Sequence, residues 1–144
     1  MLGGYAGVMA RADRPGPPEG AGADVFSRMC ASRELFQHVT GRWGALVLVA
    51  LRDNCTAMRF GELRRRVDGI SDRMLSHTLT QLERDGVVAR TVRSAIPPHV
   101  DYTLTPLGQK MSDPLSALIE IIEAELPNVL EARSAHGAGN STRA

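Results

Sequence analysis

Between Gly69 and Thr91 the chain reads GISDRMLSHTLTQLERDGVVART, and its apolar and polar residues separate at helical spacing. Met74, Leu75, Leu79 and Leu82 share one face; Arg73, Ser76, His77, Thr80, Gln81 and Arg84 share the other. Ser71 is placed to cap the helix N-terminus, Asp72 adds a favourable negative charge there, and Asp85-Gly86 supplies a left-handed stop. A helix is predicted from Asp72 to Asp85. Upstream, FGELRRRV makes a short helix with Phe60, Leu63 and Val67 inward, and Asp68-Gly69 turns the chain. Ordered sequence begins near Asp24. A first helix fits Ser32 to Val39, with Leu35, Phe36 and Val39 on one face, and a second runs from Arg42 to Arg52 through WGALVLVAL. Trp43 and the inward leucines read as core.

Downstream, VVARTV and VDYTL are short runs rich in Val, Thr and Tyr, separated by RSAIPPH. Pro97-Pro98 cannot donate ladder hydrogen bonds, so these strands close around an extended, projecting loop. Thr105-Pro106 opens another helix, a cap followed by proline at the first position. Pro114 is expected to kink or restart it, and Pro127 to end or bend it. Between them PLSALIEIIEAEL carries a stripe of Leu115, Leu118, Ile119, Ile122 and Leu126. The domain reading is a disordered leader over 1–23, one domain over 24–131, and a disordered tail over 132–144. The fold class is mainly α with a small β-hairpin (α+β): a winged helix-turn-helix with N- and C-terminal dimerisation helices.

Composition narrows the function without choosing it. A chain of 144 residues buries a core without staples. Cys30 and Cys55 are too few for a disulfide framework and lack zinc-ligand spacing, so no metal is expected. His38, His77, His99 and His136 fall in different elements. There is no Gly-rich phosphate loop, nucleophile elbow or paired-carboxylate constellation, so neither an enzyme nor a cofactor is expected. The longest apolar run is about half of what a bilayer-spanning helix needs, and the first residues lack the features of a signal peptide; the expected compartment is the cytoplasm, with no membrane partner. Net charge is +1, but basic residues exceed acidic ones from Arg59 to Arg93, while every charge from Glu120 to Glu131 is negative. The middle is the candidate for an anionic partner.

The order helix, helix, short helix, turn, helix, hairpin, long helix is the winged helix-turn-helix plan. In it the second helix of the pair enters the DNA major groove, and its outer face must bond base edges and phosphates. Arg73, Ser76, His77 and Thr80 have that chemistry, with Ser71 and Arg84 at the two ends. A solvated face of an ordinary amphipathic helix is the alternative. Arg64, Arg65 and Arg66 precede the turn; at most two of them face DNA together, and for each a solvated surface position is the competing reading.

The segment from Cys30 to about Ile122 resembles the HxlR family of bacterial winged-helix transcription regulators, relatives of the MarR group. The resemblance rests on the cysteine ahead of the first helix, Gly41-x-Trp43, RFGELRRRV, GIS-x-x-x-L, LERDGVVART, PPHVDYTLT and LTPLG, in that order. It implies a dimeric DNA-binding repressor or activator, many members of the family responding to electrophiles, oxidants or metabolites. It also implies wing contacts with DNA from Arg90, Arg93 and His99. The partners are double-stranded DNA with a pseudo-palindromic operator, a second copy of the chain, and a small-molecule electrophile or other ligand.

Cys30 is the sharpest chemical candidate. Backbone N–H groups at the start of the first helix favour a thiolate, and Arg28 and Arg33 lie close in sequence. An ordinary cysteine is only about 3% thiolate at neutral pH, and a one-unit drop in pKa raises that to roughly a quarter. The competing reading is a small buried hydrophobe; the resemblance implies a redox or electrophile sensor. Cys55, in the polar break RDNCTAM, is either inert or a disulfide partner. The stripe Leu115, Leu118, Ile119, Ile122 and Leu126, together with Leu35, is read as a dimer interface, the alternative being packing within its own domain. Regulation by a small ligand lodged between the reading domain and the dimer helices, and a protein-interaction role without DNA, both remain open.

Overall fold

The computed structural model describes residues 22–93 and 96–141. Most of the leader expected over 1–23, part of the hairpin tip and the last three residues lie outside the described residues. Among the described residues five helices and three strands follow in the order α1 (Ala31–Thr40), α2 (Gly44–Asn54), β1 (Met58–Arg59), α3 (Phe60–Arg66), α4 (Asp72–Arg84), β2 (Val88–Arg93), β3 (His99–Leu104) and α5 (Pro106–Ser141). This is an α+β winged helix.

Helix α2 is the hub. Val47, Leu48, Val49, Ala50 and Leu51 are all buried, so the helix is apolar on nearly every side, as a central element must be. Around it pack Leu63 of α3, Leu75, Leu79 and Leu82 of α4, Val87 and Val88 at the start of the hairpin, and Leu115 of α5. Each such side chain contributes roughly 1.5–3 kcal/mol through burial. Met58 joins the same core and pairs with buried Tyr102, which creates the two-residue strand β1. So short a run carries no periodicity, and in the sequence Met58 reads as the end of the polar break RDNCTAM. The sheet order is β1-β3-β2, all antiparallel, with Val88 opposite Leu104 and Arg93 opposite His99.

The caps behave as their chemistry requires. Ser71 Oγ accepts the Met74 N–H at 3.1 Å, and Gly86 closes α4 at φ +76°. At α5, Thr105 Oγ1 accepts the Gly108 N–H at 3.0 Å and donates to the Gly86 carbonyl at 2.6 Å, tying the helix start to the end of α4. Two residues read as inward lie outside: Phe36 is 54% exposed and Met74 39% exposed, because each sits at the margin of its apolar arc.

Helix α5 departs most from expectation. Pro114 and Pro127 both lie inside one helix of 36 residues, so neither ends it. Proline costs about 3 kcal/mol in a helix interior, and around Pro114 packing offsets that cost. Leu115, Ser112 and Ser116 are buried there, and Arg52 of α2 donates to Asp113 at 2.8 Å and to Ser116 at 3.1 Å. The helix also continues to Ser141 through the segment read as a disordered tail. Ala132, Ala135 and Ala138 are strong helix formers, and extending a formed helix is cheap compared with nucleating one. From Glu120 to Asn140 every residue is exposed, so nothing among the described residues covers the distal half.

Candidate nucleic-acid interface

The turn between α3 and α4 presents α4, the helix expected to read DNA. Val67 and Ile70 are buried, Gly69 takes φ +87°, and the Ile70 N–H bonds the Val67 carbonyl at 3.3 Å. With Leu75, Thr78, Leu79 and Leu82 facing the core, α4 leaves Arg73, Ser76, His77, Thr80 and Arg84 exposed on its outer arc. Ser71 Oγ is occupied as the cap. Thr80 donates its hydroxyl proton to the Ser76 carbonyl at 2.9 Å, so its oxygen remains as an acceptor while its donor is engaged. Arg73 and Arg84 have no ion-pair partner among the described residues, and their charges project outward.

Arg64 is differently placed. Its guanidinium pairs with Asp72 at 2.9 Å, bracing α3 against the first turn of α4. The Asp72 carboxylate thereby offsets its charge at a position expected to contact phosphate. Arg65 and Arg66 are exposed beside it.

The wing residues divide between two sheet faces. Arg90 is the register partner of buried Tyr102, so it projects from the face that carries Val88; Arg93 and His99 project from the opposite face. Arg93 Nε donates to Asp101 Oδ2 at 2.8 Å, and His99 Nε2 lies 3.7 Å from Asp101 Oδ1. Arg59 on β1 is the register partner of Asp101. The Arg93 hydrogen bond first, then the charges of His99, Arg93 and Arg59, hold the Asp101 carboxyl below its ordinary range. Sequence reasoning missed both Asp101 and Arg59. Their juxtaposition depends on cross-strand register, and no local pattern signals it.

Cys30 stands at the N-cap position of α1, half-buried and free. Its thiol pKa is lowered, first by the Ser32 hydroxyl donating to Sγ at 3.1 Å, then by the Ser32 and Asp24 backbone N–H groups. Arg28 and Arg33, the cations expected to act, are not the cause; Arg33 is turned to the Phe26 carbonyl at 3.1 Å. Cys55, also free, is exposed at the α2 C-cap with φ +59°.

The apolar stripe of α5 is two arcs rather than one. Leu115 is buried in its own domain and Ile119 packs partly against that core, as does Leu35 of α1. Leu115 is therefore a core residue and not an interface residue. Leu118, Ile122 and Leu126 are 51%, 51% and 43% exposed, and Ile121, Val129 and Leu130 extend that second arc. An open cavity of about 500 Å³ with an almost wholly apolar lining, including Leu35, Phe36, Val39, Met111 and Leu118, lies between α1 and α5. Among the described residues no cluster of His, Cys, Asp or Glu could hold a metal ion, and no helix is long and apolar enough to cross a membrane.

Comparison with known proteins gives this geometry a lineage. YtfH of Escherichia coli (strain K12), an uncharacterized HTH-type transcriptional regulator, is 46% identical over 115 residues, covering 80% of this chain and 90% of the relative. The structure of ytfH from Salmonella typhimurium superposes with a TM-score of 0.72 at 48% identity, covering 78% of this chain and 98% of the other. The redox regulator HypR in its oxidized form superposes with a TM-score of 0.60 at 32% identity, covering 66% of this chain and 96% of the other. Residues 38–129 match the model of the HxlR-like helix-turn-helix. From the capped reading helix through the hairpin to α5 the architecture and the matches agree, and the chain belongs to the HxlR-like family of helix-turn-helix transcriptional regulators.

Proposed function

We propose that this regulator binds a pseudo-palindromic operator as a homodimer, with α4 in the major groove and the β2–β3 wing against the flanking backbone, and acts as a repressor in the cytoplasm. The observation that carries the reading is the outer arc of α4, where Arg73, Ser76, His77, Thr80 and Arg84 are exposed above a fully buried leucine face. One reading helix offers few base contacts, each good bidentate pair being worth about 1–3 kcal/mol of discrimination, so specificity needs a second copy one DNA turn away. The uncovered arc of α5 supports that pairing, since contiguous apolar patches of this kind mark interaction sites.

The test is a salt-dependent gel shift on the region upstream of its own gene. Retention of binding there at salt concentrations that release random duplex supports the operator; identical binding to both rejects it. A winged-helix protein-interaction role is separated by replacing Arg73 and His77 with alanine, which must abolish operator binding if DNA is the partner.

For regulation, the favoured reading is that oxidation or alkylation of Cys30 shifts the angle between the two reading heads. The lowered thiol pKa and partial exposure support it, and a redox regulator, HypR, shares the fold. A second reading, a small apolar ligand between α1 and α5, is favoured by the cavity there. Cys30→Ser distinguishes them: an unchanged response of operator binding to oxidant removes the thiol from the mechanism.

A further inference from the structure

Resting on the DNA-reading proposal, we infer that Arg42, at the corner between α1 and α2, is a backbone clamp that grips the phosphodiester strand running beside the reading helix. An open groove of about 670 Å³ separates that corner from one flank of α4. At spacing i, i+3, i+7, the α4 residues Met74, His77 and Gln81 form the groove's inner wall. Gln37 and Arg42 stand opposite. Because His77 belongs to this wall and also to the outer arc, the groove is continuous with the reading face.

Charge identifies the occupant. No carboxylate lines the groove, while Arg42, Gln37, His77 and Gln81 all offer donors. Asp85, at the C-cap of α4, is engaged by His38 at 2.6 Å. On the other flank of α4, Asp72 and Glu83 stand exposed and Arg64 is spent on Asp72. A polyanion is therefore accommodated along the Arg42 side and opposed on the other. The groove runs beside the helix and is open to solvent, a shape suited to a passing strand.

The corner is built to hold Arg42 in place. The guanidinium carbon lies 4.7 Å from the Trp43 ring centroid, a stacking that fixes its plane and leaves its edge N–H groups free for a phosphate. Arg42 has no ion-pair partner among the described residues. Two glycines set the chain path: a Cβ at Gly41 would sit 2.7 Å from the Gln37 carbonyl oxygen and one at Gly44 1.9 Å from that of His38. Through His38 and Asp85 the same corner is tied to the C-cap of α4, so clamp and reading helix move together.

The experiment measures binding of the full chain to a fluorescent random-sequence duplex of thirty base pairs or so across a series of salt concentrations. Phosphate contacts govern that binding whether or not the operator is known. With one Arg42 contact per protomer at about 0.9 each, Arg42→Gln lowers the dimer's log–log salt slope by about 1.8. Arg42→Lys retains the slope because it retains the charge, and Arg133→Gln, far along α5, leaves it unchanged. Thermal unfolding of each variant verifies that the fold is intact. A wild-type slope in folded Arg42→Gln, with a reduced slope in Arg65→Gln or Arg73→Gln, overturns the clamp and leaves DNA reading standing. Failure of the wild type to bind duplex even at low salt overturns both.

Discussion

Asp101→Asn is the substitution whose consequence the wing geometry fixes most sharply. The carboxylate sits in the middle strand of the sheet with Arg93, His99 and Arg59 around it, and it neutralises part of the positive charge of the wing, which in the proposed function faces DNA. Asparagine is nearly isosteric and keeps an oxygen for the 2.8 Å hydrogen bond from Arg93, so the side chains stay in position while one negative charge per protomer disappears. If the freed charge finds one additional phosphate per protomer, the salt slope of the dimer steepens by about 1.8 and random-duplex affinity near 0.1 M salt rises by up to about sixtyfold. Operator affinity rises less, because charge is sequence-blind, so the specificity ratio falls. Fluorescence anisotropy on random and operator duplexes across salt concentrations reads all three quantities. Unchanged slope and affinity in a folded variant would refute the reasoning, since Arg93 and His99 then do not face phosphate. The pH dependence has a definite sign: because the Asp101 carboxyl is held below its ordinary range, its contribution to stability is full above that range and is lost as acid protonates it. The asparagine variant lacks that acid-side loss, which a pH series of melting temperatures checks.

Three further outcomes follow from other parts of the molecule. Gly44→Ala places a methyl 1.9 Å from the backbone oxygen of His38, where no flexible side chain can yield, and it costs at least about 1–3 kcal/mol in urea unfolding. Ser32→Ala removes the first cause of the lowered Cys30 pKa, so the pH profile of iodoacetamide alkylation moves toward higher pH and the rate at neutral pH drops. Leu126→Glu changes a side chain that is 43% exposed in one protomer, so the fold survives, while sedimentation shifts from dimer toward monomer.

The elements written in one stretch of chain were legible before any coordinates. Helix α4 carries its cap, its leucine face and its glycine stop within Ser71–Gly86, and each signal is local, so sequence alone bounded it to within a residue. Features that two distant segments make together were not legible. Strand β1 exists because Met58 has Tyr102 to pair with, and Asp101 collects its basic neighbours only once the register sets Arg59 and Arg93 beside it. Cys30 was found for a partly mistaken reason: the lowered pKa was expected, but it arises from the Ser32 hydroxyl and backbone N–H groups and not from Arg28 or Arg33. Sequence proximity does not give side-chain direction, and Arg33 Nη1 donates to the Phe26 carbonyl.

Helix α5 shows why a stripe of leucines and isoleucines is ambiguous in a single chain. Leu115 and Leu118 are about one turn apart, yet the first is buried and the second half exposed, because they point to different sides of the helix: Leu115 and Ile119 turn toward the core and Leu118 turns away from it. Beyond Ile119 the apolar arc continues through Ile122, Leu126 and Leu130 with no cover among the described residues, and the helix passes through Pro127 regardless. An isolated helix segment bearing a proline and an uncovered apolar face is poorly stable in water by itself. No surface among the described residues covers this arc, and a second copy of the same arc is the simplest cover for it. Each reading helix would then owe its spacing from the other to contacts made far from DNA. A thiol or ligand acting at α1, next to that arc, would thereby alter operator affinity without touching a base.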